Sequence, residues 1–301
     1  MSEGKNMSDF LEILRSITPS IDLTSIEIIP FKSLEDGQDY EVWKIATSEK
    51  NYVLKKTKGY EFSIYSGFFC KNPCGVPRIY GSTTYNNENY ILMEFLEGES
   101  KVKLDRQSLK KALDALILIQ NEFWEAQGMD SFGLSFSESL KQRRERGNYI
   151  KNPNISSAYS DFLELYEALP RTLCHDDLLP FNLLISEKNA AIIDWEIAGI
   201  LPYPASFARL IAHAEQTDDS FFYIKDEDKE FAIDYYYQNL VKSKGISYQG
   251  FRYALELFLL YEYCEWIMIG VKYEDADIER YEKYLKKAQK LCASIGLPKD
   301  S

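Results

Sequence analysis

Histidine is almost missing from this chain: His175 and His213 are the only two among 301 residues. A metal cage built on several imidazoles, or a Ser-His-Asp hydrolase, would have to be assembled from that pair, which disfavours both classes. Cysteine is sparse as well. The five thiols, Cys70, Cys74, Cys174, Cys264 and Cys292, are odd in number, scattered, and include no Cys-x-x-Cys pair. They read as reduced and mostly buried side chains, not as a zinc site or a disulfide framework. Long apolar runs are lacking too. The longest, Phe258–Tyr261 and Trp266–Val271, are interrupted by Glu262 and Glu265, far short of the roughly 20 residues of a membrane span. The opening MSEGKNMSDFLEIL has neither a basic flank nor an apolar signal core, so a cytoplasmic protein is expected. Positive charge is in deficit: 35 Lys and Arg stand against 47 Asp and Glu, a net charge of −12. A sequence-independent nucleic-acid binder draws its affinity from neutralising phosphates, so neither nucleic acid nor membrane is an expected partner.

What is present is a chain able to bury a sizeable core, 45% apolar and 27% charged, with a length suited to one large or two modest globular units. Residues 8–17 carry Phe10, Leu11, Leu14 and Ile17 at helical spacing, with Ser8 as the expected N-cap. From Ile26 to Leu96 the pattern turns to β-rich runs (IEIIPF, YEVWKIAT, NYVLKKT, RIYGSTT, NYILMEFL) broken by EDGQD, SEKN and YNNEN. Between the third and fourth runs GYEFSIYSGFFCK fits a short helix. The order predicts a small antiparallel sheet with one helix against it. After LEGES the composition becomes helical. Asp105 stands near the start of a helix carrying Leu109, Leu113, Leu116 and Ile117 on one face. Residues 136–147 and 156–168 also read as helices, TLC and LLISEKNAAIIDW as short strands, and Pro204 to Ser294 as four helical stretches. The expected architecture is therefore α+β, with residues 1–96 forming a sheet lobe and 97–301 a larger, mainly helical lobe. Residues 215–234 hold eight acids against two lysines and read as a solvated face.

The strongest chemical signal is His175-Asp176-Asp177-Leu178-Leu179-Pro180-Phe181-Asn182 followed, after eleven intervening residues, by Asp194-Trp195-Glu196. Each group follows an apolar β-like run, which puts two carboxylates and a carboxamide at loop ends. Magnesium prefers hard oxygen ligands and keeps some waters, so one carboxylate and one amide oxygen suffice once nucleotide phosphates complete the shell. A second carboxylate can then take or orient the proton of an attacking hydroxyl.

At these residues the chain resembles the aminoglycoside phosphotransferase and choline kinase superfamily, small-molecule kinases with a bilobal protein-kinase-like fold. The resemblance rests on His-x-Asp-x-x-x-x-Asn and the later Asp-Trp-Glu, in order and at suitable spacing. It implies Asp177 as catalytic base, Asn182 and Asp194 as Mg²⁺ ligands, and His175 as a brace for the loop. It further implies Lys55 on the third strand as the phosphate-holding lysine, with Lys56 as its rival, and Glu61 on the next helix as the acid that positions it. By the same analogy Glu94 and Leu96 form the hinge that meets the nucleotide base. Three positions depart from the pattern. The loop Ser33–Asp39 has one glycine and three acids, Asp176 places a second carboxylate beside the base, and Ser206 stands where relatives carry an aspartate that tethers the catalytic loop. The implied activity is transfer of the γ-phosphate of ATP or GTP to a hydroxyl of a small cationic molecule, aminoglycoside-like or an amino alcohol. The alternative is a catalytically silent nucleotide-binding protein of the same fold.

For the acceptor, FRYALELFLLYEYCEWIMIG is apolar nearly all round, which implies burial, yet it contains Glu262 and Glu265 with no cation three or four residues away. Either a tertiary Lys or Arg answers these acids, or a cationic acceptor does, with Trp266 and Tyr261 offering cation–π faces. His213 reads as a packing or capping residue, and the basic run Lys141–Arg146 as a solvated helix face.

Overall fold

Helix α1 (Met7–Ile17) buries Phe10, Ile13 and Leu14 along one face. Its cap is Asn6, not the expected Ser8: the Asn6 side chain accepts the Asp9 amide at 3.0 Å, and the Asp9 carboxylate accepts the Asn6 amide at 3.1 Å. This reciprocal pair satisfies two amides that a helix start leaves without partners, which a serine inside the first turn cannot do. The computed structural model describes residues 6–19, 21–23, 25–32, 39–217, 220–273 and 278–295. Of the acidic loop Ser33–Asp39, residues 33–38 and the side chain of Asp39 lie outside the described residues.

Five antiparallel strands follow, β1 (Glu27–Lys32), β2 (Asp39–Ala46), β3 (Asn51–Lys56), β4 (Ile79–Tyr85) and β5 (Glu88–Glu94), in the sheet order β1-β2-β3-β5-β4. Helix α2 (Glu61–Gly67) interrupts them between β3 and β4, as the expected order of three strands, a helix and two strands requires. Alternation along each strand divides the sheet into two faces. Ile45, Tyr52, Leu54, Tyr90 and Leu92 pack under α1. The other face carries Lys55, opposed to Val42 on one side and Ile91 on the other. Ile91 and Met93 there join the main core with Ile64 and Tyr65 of α2.

Beyond β5 the chain is mainly helical: α3 (Arg106–Glu122), α4 (Phe136–Gly147), α5 (Pro153–Ala168), α6 (Pro204–Ala212), α7 (Asp226–Asn239), α8 (Tyr248–Lys272) and α9 (Ile278–Cys292). Asp105 caps α3 by accepting the Ser108 amide at 2.7 Å. Helix α8 is buried over much of its circumference, as its uniform apolarity predicts. Among the described residues no helix is long and apolar enough to cross a membrane.

Two short strand pairs lie among these helices. Strand β6 (Arg171–Cys174) pairs with β9 (Gly199–Pro202), and β7 (Leu183–Ile185) with β8 (Ala190–Ile192). Strand β9 was not predicted, because four residues buried on every side carry no alternation to read. Its pairing matters for position. The loop starting at His175 leaves β6, and the loop starting at Ile193 connects β8 to β9, so the two polar groups emerge from the same small patch of strands.

Candidate active site

Lys55 Nζ sits between two carboxylates, 2.7 Å from Glu61 Oε1 and 2.6 Å from Asp194 Oδ1. Its neighbour Lys56 faces the other way, to Glu41 and Glu88 at 2.6 and 2.5 Å. The rivalry between them is therefore decided by sheet register, which turns Lys55 toward the helical lobe. Burial works against the Lys55 ammonium, but its two acids outweigh burial and hold its pKa above the ordinary lysine value. Glu61 is fully buried, and burial pushes its carboxyl up to about 7 against the pull of Lys55. Gly59 lets this segment approach Asp194-Trp195-Glu196. It has φ +50°, and a Cβ there would stand 2.3 Å from the Glu196 carbonyl oxygen, which accepts the next amide, that of Tyr60, at 2.8 Å.

His175 is wholly buried and braces the loop from both ends. Its amide donates to Ser206 Oγ at 2.8 Å, its ring Nε2 donates to the Ile193 carbonyl at 2.8 Å, and the ring packs 4.8 Å from that of Trp195. Burial lowers its pKa to about 4, so the ring is neutral at physiological pH and transfers no proton there. Ser206 thus performs the tethering expected of an aspartate, with a neutral hydroxyl as acceptor.

Asp176 and Asp177 diverge. Asp176, at φ 60°, turns inward to Arg143 Nη2 at 2.6 Å. Arg143 is buried on α4, bonded to Ser139 and sandwiched by the rings of Tyr166 and Tyr261 at 4.8 and 4.7 Å. The basic run 141–146 is therefore not a uniformly solvated face: Lys141 and Arg144 are exposed, while Arg143 lies on the inward side that also holds Ser139 and Leu140. Asp177 is met by Arg209 of α6, whose Nε and Nη2 lie 3.0 and 2.8 Å from Oδ1. Burial raises the Asp177 carboxyl to about 6 even though Arg209 opposes it, so desolvation is the leading cause and not repulsion from Asp176.

Asn182 joins the two loops. Its Nδ2 donates to the Asp177 carbonyl at 2.8 Å, and its own carbonyl accepts the Ile193 amide at 3.0 Å. With the nitrogen end of the amide tied back, Oδ1 is the end left as a hard oxygen donor. Asp194, at φ 69° with its side chain 42% exposed, keeps its carboxyl below the ordinary range: burial would raise it, but Lys55 prevails. One carboxylate and one amide oxygen fit Mg²⁺ in the way the sequence implies. Among the described residues no three His, Cys, Asp or Glu side chains group to hold a metal alone, so phosphate oxygens would have to complete the shell.

Beside Asp177 opens a cavity of about 260 Å³, walled by Tyr60, Glu138, Arg146, Tyr261, Glu262 and Glu265. Arg209 Nη1 lies 2.8 Å from Glu262 Oε2 and 2.6 Å from Glu265 Oε2, and Arg146 Nη1 lies 3.0 Å from Glu265 Oε1. The two acids therefore have tertiary cations of their own. Burial would raise Glu262, but Arg209 and His213 hold its carboxyl far below the usual range. His213 bridges Glu262 and the Tyr284 hydroxyl, the packing role expected of it. Two expectations are corrected. Trp266 does not line this cavity: its ring stacks on Tyr284 at 5.7 Å, with Arg280 over it at 4.7 Å. Tyr261 lines it but has no face to spare, being stacked on Phe162 at 4.9 Å and covered by Arg143 and Arg146.

Glu94 and Leu96, the expected hinge, lie at the end of β5 and just beyond it, both half-buried. The Glu94 amide donates to the Arg78 carbonyl at 2.8 Å, and Met93 shares the sheet face of Ile91 and Lys55. Arg209, Arg143 and Arg146 are the site residues that sequence reasoning missed. The available signal for Arg209 was its place one helical turn after Ser206.

Several solved kinases share this fold. An aminoglycoside phosphotransferase from Alicyclobacillus acidocaldarius superposes with TM-score 0.57 at 14% identity, covering 98% of this chain and 96% of that one. A choline kinase from Cryptosporidium parvum gives 0.57 at 16% identity, with 92% of each chain covered. An amicoumacin kinase in complex with AMP-PNP and Ca²⁺ gives 0.57 at 10% identity over 96% and 94%. No curated protein sequence matches the chain significantly. The bilobal architecture is accordingly the protein-kinase-like one that the Asp177, Asn182 and Asp194 motifs imply. Residues 31–235, more than half the chain, match the phosphotransferase enzyme family, and the chain belongs to that family.

Proposed function

We propose that the chain is a Mg²⁺-dependent kinase that moves the γ-phosphate of ATP or GTP directly to a hydroxyl of a small cationic molecule, an amino alcohol or an aminoglycoside-like compound. The observation that carries this reading is Lys55, fixed between Glu61 of its own lobe and Asp194 of the other. Residues 1–96 act as the nucleotide-holding lobe, with Lys55 meeting the α- and β-phosphates, Glu61 orienting Lys55, and Glu94 and Leu96 at the base. Residues 97–301 supply the reaction loop and the acceptor cavity. Asp194 and Asn182 would hold a Mg²⁺ ion, which would supply neutralisation of the negative charge on the transferring phosphate. Asp177 takes the acceptor hydroxyl as hydrogen-bond donor and aligns it for in-line attack, and no phospho-enzyme is required.

Five carboxylates line the cavity, Glu138, Asp176, Asp177, Glu262 and Glu265, against three guanidiniums, those of Arg146 and Arg209 and that of Arg143, which pairs with Asp176. The surplus of negative charge supports a cationic acceptor, and the small volume supports a compact one. A catalytically silent protein is the less supported reading, since Ser206 holds the loop that its presence had put in question. The test is nucleotide consumption over a panel of amino alcohols, aminoglycosides and phosphorylatable sugars, paired with calorimetry of ATP and GTP with and without Mg²⁺. Magnesium-dependent nucleotide binding with acceptor-dependent ADP or GDP release is the expected result. Binding without acceptor-dependent release over the whole panel would return the silent reading.

A further inference from the structure

Arg209 stands where three chemical demands meet, and the reaction loop cannot meet them alone. Between Asp177 and Asn182 the loop reads Leu-Leu-Pro-Phe, with no cation of its own. The guanidinium instead comes from α6, the helix whose Ser206, one turn earlier, accepts the His175 amide. One rigid element thus fixes the main chain at the start of the loop and the side chain of Asp177. The contact is one-sided. Nε and Nη2 both reach Oδ1, at 3.0 and 2.8 Å, while Nη1 is held by Glu262 and Glu265 at 2.8 and 2.6 Å. A planar guanidinium anchored at its far end cannot swing, so the carboxylate it grips is fixed in rotation as well as in place.

We propose that Arg209 is a positioning residue for phosphoryl transfer: by claiming one oxygen of Asp177 it turns the other, Oδ2, toward the acceptor hydroxyl. The inference rests on the functional reading above, in which Asp177 receives that hydroxyl. The same fork ties the orientation of Asp177 to the two acids of the acceptor wall. It also means that Asp177, 35% exposed in its side chain and lining the cavity, is held from α6 and not from its own loop.

The test is steady-state kinetics with Mg·ATP and whichever of choline, ethanolamine, an aminoglycoside or a fructosamine is turned over fastest. Arg209→Lys keeps a cation between the acids but cannot grip one oxygen with two N–H groups. It should lower kcat about a hundredfold, the scale of a misaligned reacting group, with the nucleotide KM within about threefold of the unaltered value. Combined with Asp177→Asn it should cause no further loss, because a residue acting only through another has nothing left to position. Near-normal kcat in Arg209→Lys, or losses that multiply in the double variant, would overturn the assignment. If Arg209→Lys fails to fold, Arg209→Met in the Glu262→Gln/Glu265→Gln background removes the buried charges along with the cation. The same kcat loss relative to that background supports the assignment, and an unchanged kcat overturns it. The two levels separate cleanly: transfer lost in Asp177→Asn but intact in Arg209→Lys sinks the positioning role alone, whereas no transfer by the unaltered protein to any of the four acceptors sinks the functional reading and this role with it.

Discussion

At the scale of single residues, the site rests on side chains whose protonation the fold has set. Asp177→Asn should reduce kcat by two to four orders of magnitude, roughly the range of general-base contributions, and leave nucleotide affinity unchanged by calorimetry. His175 makes a prediction of opposite kind. Its folded pKa of about 4 lies below the ordinary value of about 6.5, so the unfolded chain binds a proton first as the solution is acidified. The stabilisation is complete above about pH 6.5 and is lost progressively as pH falls toward 4. Urea midpoints measured over that window should therefore fall less steeply for His175→Gln than for the unaltered protein. Much of this level was legible in the sequence. Asp177, Asn182 and Asp194 fall within twenty residues of one another, which makes their grouping readable from spacing, whereas Lys55 and Glu61 are reached only through the family resemblance. Arg209 answers acids 32, 53 and 56 positions away; its place one helical turn after Ser206 hints at the loop, but no local pattern encodes its partners.

At the scale of elements, α6 and the segment leading into α2 do the positioning. Ser206→Ala would leave the buried His175 amide without its acceptor, at a cost of about 1–3 kcal/mol. A lowered melting temperature and a lower kcat should appear together. Gly59→Ala forces a side chain onto the Glu196 carbonyl and into a backbone conformation that L residues avoid. It should destabilise the protein and weaken nucleotide binding, and a variant with unchanged thermal unfolding would show that this approach is not required. The strands of the sheet lobe announced themselves by alternation between turn-prone segments. Strand β9 and the inward turn of α4 did not. The first is buried on all sides, and the second hides one buried guanidinium, Arg143, among exposed basic neighbours that dominate the composition.

At the scale of the whole molecule, the lobes touch through Lys55 and Asp194 and through the Tyr60 amide on the Glu196 carbonyl. Saturating Mg·nucleotide should raise thermal stability, by about 2.7 kcal/mol at a ligand concentration a hundredfold above Kd. Lys55→Met should abolish most of that increment, as differential scanning fluorimetry would show. The division into lobes was visible as a change of composition after LEGES. The cavity beside Asp177 was not, because its walls come from six separate stretches of the chain between Tyr60 and Glu265. The shared guanidinium of Arg209 has a consequence for how this protein can change. Since it grips Asp177 and the cavity acids Glu262 and Glu265 at once, a substitution at either acid that retunes a bound acceptor should also loosen Asp177. Directed evolution toward new acceptors should therefore find its productive substitutions at Tyr60, Glu138 and Gln142, lining residues outside the Arg209 network, while libraries built on α8 should yield mostly slow enzymes.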